Sequence, residues 1–133
     1  MVTEKATRDA YGETLPELGK ENRDLVVLNA DLSKSTKTTL FASKFPERFF
    51  DCGIAEQNMM GIAAGLAACG KTVFASTFAV FATSRCFDQL RMSIAQPRLN
   101  VKVIATHGGI TVGEDGFSHH AIEDLALACS LPG

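Results

Sequence analysis

The chain has 133 residues, 46% of them apolar and 21% charged, with a formal net charge of −2. That length supports one hydrophobic core and is too short for two ordinary domains. Lys and Arg are scattered among the acids without forming a basic stripe, which argues against a nucleic-acid surface. The longest apolar run, Ile62 to Cys69, is interrupted by glycine and far too short to span a bilayer, so no membrane partner is expected. Met1-Val2-Thr3-Glu4-Lys5 leads into no apolar signal-peptide core. Cys52, Cys69, Cys86 and Cys129 are far apart, with no metal-ligand spacing and mostly apolar neighbours. Together these features predict a cytoplasmic protein with largely buried, reduced thiols and no metal ligands of its own.

In chain order, Thr3 to Asn22 reads as a helix with Ala6, Ala10, Leu15 and Leu18 on one side, and Gly12 and Pro16 argue for a kink or an early end. Leu25 to Asn29 is a short apolar run and reads as a buried strand. Asp31 to Thr39 is a polar loop, a short helix ends before Pro46, and Phe49-Phe50-Asp51 is a second short strand. A very apolar helix runs from Ile54 to Cys69, closed by Gly70. Thr72 to Ser76 is a third strand, and Phe81 to Ala95 a long helix ended by Pro97. Val101 to Thr106, β-branched and bounded by a proline and a glycine pair, is the clearest strand. A polar loop leads to a last helix, Ala121 to Cys129.

Helices and apolar strands alternate, the pattern of a three-layer α/β/α domain around a mostly parallel sheet. Ligands of such sheets sit beyond the carboxyl ends of the strands, where the polar segments after Asn29, Asp51, Ser76 and Thr106 fall. The sequence reaches Leu131-Pro132-Gly133 directly after a helix, where a doubly wound domain would add a strand. The expectation is therefore a domain over residues 1–133 that lacks its last strand or strands and any C-terminal domain.

Glu56 stands at the mouth of the apolar helix, where an ionised carboxylate is costly unless something polar binds it. A carboxylate in a first helical turn can also do no more than complement the helix dipole. Phe78 and Phe81 are three residues apart and share a face if both lie in a helix start, as core aromatics do. His107 ends the strongest strand, ahead of the Gly-bounded run Gly113-Glu114-Asp115-Gly116-Phe117-Ser118-His119-His120.

Gly53-Ile54-Ala55-Glu56-Gln57-Asn58-Met59-Met60-Gly61-Ile62 resembles the segment of thiamine diphosphate enzymes that carries the cofactor-activating glutamate. Thr77-Phe78-Ala79-Val80-Phe81 with Phe87-Asp88-Gln89-Leu90-Arg91-Met92, and Thr106-His107-Gly108-Gly109 through Gly113-Glu114-Asp115-Gly116-Phe117-Ser118-His119, are similar to the pyrimidine-binding domain of the transketolases. Ala6-Thr7-Arg8, Asn29-Ala30-Asp31-Leu32-Ser33-Lys34-Ser35 and Ile122-Glu123-Asp124-Leu125-Ala126 extend the resemblance over essentially the whole chain. It implies a thiamine diphosphate-dependent transfer of a two-carbon ketol unit from a ketose phosphate to an aldose phosphate.

In that family a glutamate hydrogen-bonds the pyrimidine N1′ and turns the cofactor's 4′-amino group into the base that deprotonates the thiazolium. The resemblance places Glu56 in this role, Phe78 and Phe81 in the pocket for the aminopyrimidine ring, and Asp31 near the thiazolium. It gives His107 and His119 contacts to the sugar and reaction intermediate, with His120 the less favoured neighbour. It gives Asp115 a donor hydroxyl, and Arg8 and Ser35 the sugar phosphate. Thr83-Ser84-Arg85 departs from relatives that place a third aromatic there, and Phe117 from those with a small residue or proline.

No Gly-Asp-Gly followed by an Asn pair is present to hold the diphosphate and its Mg2+ or Ca2+. The implied partner is a diphosphate-binding N-terminal domain or subunit, in a homodimer or heterotetramer, as for the C-terminal section of a split transketolase. Deoxyxylulose-phosphate synthase shares the glutamate helix but carries Asp-Arg where His107-Gly108 stands here. The beta subunits of 2-oxo-acid dehydrogenases lack the Gly-Glu-Asp-Gly-x-x-His pattern. A non-catalytic subunit of the same fold is the alternative from another class.

Overall fold

The computed structural model describes residues 4–132. Four strands pair in parallel in the order β2-β1-β3-β4, with β1 Leu25–Asn29, β2 Phe49–Asp51, β3 Thr72–Phe78 and β4 Val101–Thr106. Asn29 lies opposite Asp51 on one side and Ser76 on the other, and Phe78 lies opposite Thr106. All four strands therefore end at one edge. The helices are α1 Thr7–Glu21, α2 Thr39–Lys44, α3 Glu56–Ala68 and α4 Asp124–Cys129.

Every residue of β1 is buried, because alternate side chains feed two cores. Leu25 and Val27 join Leu15 of α1, Phe41 of α2 and the flanking Tyr11, Phe45 and Phe74. Val26 and Leu28 face the other way, into Met59, Met60 and Ala63 of α3 with Val73, Ala75, Cys86 and Ile94. The sheet is thus covered on both faces, the layered α/β arrangement that the alternation predicts. Fully burying each large apolar side chain contributes about 1.5–3 kcal/mol, so this double core dominates the stability.

Several local readings change. Thr3 lies outside the described residues, and α1 starts at Thr7. The helix continues through the buried Pro16 to Glu21 instead of ending early. Packing overrides the lost hydrogen bond there, and Gly12 serves contact rather than termination: a Cβ on it would come within 2.4 Å of the Lys37 Cβ. Helix α3 begins at Glu56 rather than Ile54, which stays 74% exposed. Its end is as expected: Gly70, at φ 90°, and Lys71 donate backbone N–H bonds to the carbonyls of Ala67 and Leu66, closing the helix in a Schellman turn. Strand β3 runs two residues beyond Ser76, to Phe78. Helix α4 starts at Asp124, because Ala121 is held in an antiparallel bridge to Gly109. Only Cys86 of the four cysteines is fully buried; Cys69 and Cys129, at helix ends, are exposed. Among the described residues no helix is long and apolar enough to cross a membrane.

A buried polar network fixes the carboxyl end of β1. Asn29 Nδ2 lies 2.9 Å from Thr36 Oγ1, 3.2 Å from Thr38 Oγ1 and 3.1 Å from the Ser76 carbonyl, and its Oδ1 accepts the Leu32 N–H at 2.7 Å. Asn29, Thr36 and Thr38 are all fully buried, so truncating the amide strands several polar groups without water. Asn29→Ala is expected to lower the unfolding free energy by about 3 kcal/mol, read from urea denaturation. A loss below about 0.5 kcal/mol would mean that the network contributes no net stability.

Candidate functional site

At the carboxyl edge the loops are tied together before any candidate side chain is placed. Asp31 takes a left-handed conformation (φ 58°). The Asp51 carboxylate accepts its N–H at 3.0 Å and that of Gly53, also left-handed at φ 67°, at 2.9 Å. This clamp joins the loop after β1 to the loop after β2 and sets where α3 begins. Glu56 therefore falls on the first turn of α3, at the positive end of the helix dipole, and is only 4% exposed. Its Oε1 accepts one charge-assisted hydrogen bond, from Arg85 Nη1 at 3.0 Å.

Phe78 closes β3 and Phe81 opens the segment that follows, so the aromatic pair spans a strand end and a helical turn rather than one helix face. The rings still stack, 5.9 Å apart and 10° from parallel. The expected long helix from Phe81 to Ala95 is two π-helical segments, Phe81–Arg85 and Gln89–Ala95, separated at Cys86. Widened turns leave carbonyls without their usual amide partners, and side chains supply the difference. The Cys86 thiol donates to the Ala82 carbonyl at 3.1 Å, and the Thr83 hydroxyl to the Ala79 carbonyl at 2.9 Å. Burial, with a smaller contribution from the nearby Glu56 charge, pushes the Cys86 thiol up to about 12, so it is no nucleophile. The wider turn carries Arg85 across Phe81, with the guanidinium carbon 3.8 Å from the ring centre.

Asp31, Glu56, Phe81, Arg85 and His119 line one cavity of about 180 Å³, with Ile54 at its rim. His119 meets Phe81 edge-on at 5.1 Å and Phe78 at 6.1 Å. Its hold on the pair comes from the Gly109–Ala121 bridge, which clips the base of the polar loop. His107 sits beyond Phe78, ring centres 4.0 Å apart, in a left-handed conformation (φ 57°). Its Nε2 lies 3.0 Å from Arg8 Nη1 and its Nδ1 2.9 Å from Thr106 Oγ1. A guanidinium only donates, which assigns Nε2 as acceptor and the ring proton to Nδ1. Desolvation first, and then the Arg8 charge, hold the His107 pKa below its ordinary value, with Asp115 opposing them.

Arg8 and His107 border a neighbouring cleft with Thr7 and Thr111. Asp115 stands exposed in the loop, in a single 3-10 turn. Ser35, half-buried in the loop after β1, lines neither the cavity nor this cleft. Among the described residues no three His, Cys, Asp or Glu side chains converge as a metal site. Sequence reasoning noted Arg85 only as a missing aromatic and passed over Asp51. The available signal for Arg85 was its position four residues after Phe81, on the same helical face, as the only cation close to the aromatic segment's start.

The arrangement is a parallel α/β domain whose carboxyl edge holds a buried carboxylate beside an arene pair. The family model described as "Transketolase, pyrimidine binding domain" matches residues 3–133, and the chain belongs to that family. It is 59% identical to a putative transketolase C-terminal section of Methanocaldococcus jannaschii over 96% of this chain and 40% of that protein. Among solved structures it is similar to "Split gene transketolase, inactive beta4 tetramer" (TM-score 0.83, 62% identity, 97% of this chain and 41% of that one). It is also similar to transketolase from Campylobacter jejuni (TM-score 0.87, 35% identity, 96% of this chain and 20% of that one). The chain thus spans between about one fifth and 41% of the length of these relatives.

The depressed His107 pKa predicts that its ring titrates below the usual histidine range and that Arg8→Gln shifts the midpoint upward, measured by NMR titration of the ring protons. The unfolded chain then protonates first as pH falls. His107 accordingly contributes stability that is present above the unfolded pKa and lost as pH falls towards the folded one. An unchanged midpoint in the variant would remove Arg8 as a cause.

Proposed function

We propose that the chain is the pyrimidine-binding part of a thiamine diphosphate-dependent transketolase, acting with a diphosphate-binding partner domain or subunit. The observation that carries this reading is Glu56, buried at a helix start and opening into a cavity walled by Phe81 beside the parallel Phe78. A cavity of about 180 Å³ with one acidic and one aromatic wall suits a flat, nitrogen-bearing ring. The match to C-terminal and split transketolases supports the same assignment.

Bound thiamine diphosphate supplies the carbanion chemistry of ketol transfer. Glu56 would share a proton with a ring nitrogen of the bound cofactor, in a site dry enough to make that bond strong. Phe81, backed by the parallel Phe78, would orient the ring by stacking and keep water from it. Asp31 and His119 lie on the same cavity and would border the bound cofactor. His107 presents a neutral imidazole to the sugar, Arg8 beside it binds the phosphate, and Asp115 reads a donor hydroxyl, whereas Ser35 lies outside that cleft. The diphosphate and its Mg2+ or Ca2+ belong to the partner.

Ile54, Ile110, Phe117, Ile122 and Leu125, between 66% and 88% exposed, stand on the loops around the edge and at the start of α4. Large apolar groups at that exposure are consistent with a surface that another domain covers. The similar structure described as an inactive β4 tetramer supports the same requirement for a second kind of chain.

Ketol transfer from xylulose 5-phosphate to ribose 5-phosphate, with thiamine diphosphate and Mg2+, is expected only when the partner is added. No transfer by a complex shown to form would refute the proposal. In the active complex, Glu56→Gln is expected to lower kcat by at least about 10²-fold while the circular dichroism spectrum stays unchanged, since an amide cannot share the proton. Full turnover in that variant would remove Glu56 from the mechanism.

A further inference from the structure

Arg85 makes, within the chain itself, both contacts that the aminopyrimidine ring would require. Its flat guanidinium lies 3.8 Å over the Phe81 ring, and its Nη1 donates to Glu56 Oε1 at 3.0 Å. We propose that Arg85 is a built-in stand-in for that ring: it fills the ring's place in the cofactor-free chain and swings out when the cofactor enters. This rests on the reading that Glu56 and Phe81 receive the aminopyrimidine.

The competition follows from what already surrounds Phe81. Phe78 stacks on it and is 4% exposed, anchored as the last residue of β3. His119 meets it edge-on, on a loop clipped by the Gly109–Ala121 bridge. The guanidinium covers it as well, and its side chain is 46% exposed. A second flat group can stack on Phe81 only by displacing one of these neighbours, and Arg85 is the one with an open path to solvent. The same movement frees the carboxylate, whose only hydrogen-bond partner among the described residues is Arg85.

The contact also has a use while the cavity is empty. A carboxylate with 4% of its surface in water is costly without a counter-charge, and Arg85 provides one that can leave. A guanidinium suits the task better than an ammonium, because it is planar, stacks on arenes and donates in a fixed fork. It mimics a flat heterocycle carrying an N–H. The consequence is a reduction in apparent cofactor affinity by the fraction of chains in which Arg85 is displaced.

Removing the stand-in is therefore expected to tighten binding. In the complex with the diphosphate-binding partner, Arg85→Met should raise thiamine diphosphate affinity about tenfold by titration calorimetry. Arg85→Lys, which keeps the charge and loses the plane, should fall between wild type and Met, and it carries the comparison if the Met variant does not fold. In the wild-type complex the Arg85 Nε–H resonance, shifted upfield by the Phe81 ring, should move to its solvent-exposed position when the cofactor is added. Equal affinity in wild type and variants, or an unmoved Arg85 resonance, would overturn the stand-in and leave the cofactor reading standing. Weaker binding in the Met variant would also overturn it, by making Arg85 a cofactor ligand. A wild-type complex that takes up no thiamine diphosphate would instead sink the cofactor reading on which the inference rests.

Discussion

Parallel pairing forces every strand of a sheet to finish at the same edge, and here that constraint brings distant parts of the chain together. Asn29 ends level with Asp51, and Phe78 level with Thr106 two residues further on, so the segments that follow them converge at one edge. The Asp31 loop, the start of α3, the π-helical segment and the His107 loop all emerge from this edge. Double-sided burial makes the arrangement stable: β1 feeds one core with Leu25 and Val27 and the other with Val26 and Leu28. A slip by one residue would exchange those faces, so the register that builds the core also aligns the site.

The site places a charge where the core would otherwise be dry. Glu56 is tolerated through three contributions of different origin: the helix N-terminus, the Arg85 guanidinium, and loops pinned by Asp51 so that the carboxylate cannot drift outward. Arg8 and His107 form a second polar pair on the other side of Phe78, with the imidazole kept neutral by burial and by the neighbouring cation. The aromatic pair thus separates a carboxylate compartment from an imidazole compartment. A site divided in this way can hold a heterocycle at one end and a polar substrate at the other, which is the arrangement that the proposed transketolase chemistry needs.

Reading the sequence locally succeeded where one interaction dominated. The alternation of strands and helices, the Gly70 helix stop and the strand ending at Thr106 all stand, because burial period and turn chemistry act over a few residues. It failed where tertiary packing outweighed propensity. Of the kink or early end expected from Pro16, the early end does not occur: α1 reaches Glu21, one residue short of Asn22, held by its buried face. The stretch after Phe81 reads as one amphipathic helix and forms two π-helical segments, stabilised by thiol and hydroxyl bonds that no periodicity reveals. Ala121 joins a bridge instead of a helix because Gly109 offers it a backbone partner.

The sequence alone determined the layered α/β class, the carboxyl-edge location of the polar loops and, through its motifs, the family that residues 3–133 match. These are properties of pattern and spacing, carried by residues close together in the chain. Only the tertiary structure decided that Arg85 pairs with Glu56 over Phe81, that Arg8 fixes the His107 proton, and that His119 rather than His120 packs on the aromatic pair. Each of these depends on distances between residues that are far apart in sequence or on the pitch of a widened turn. Both are set by how the two cores close around the sheet.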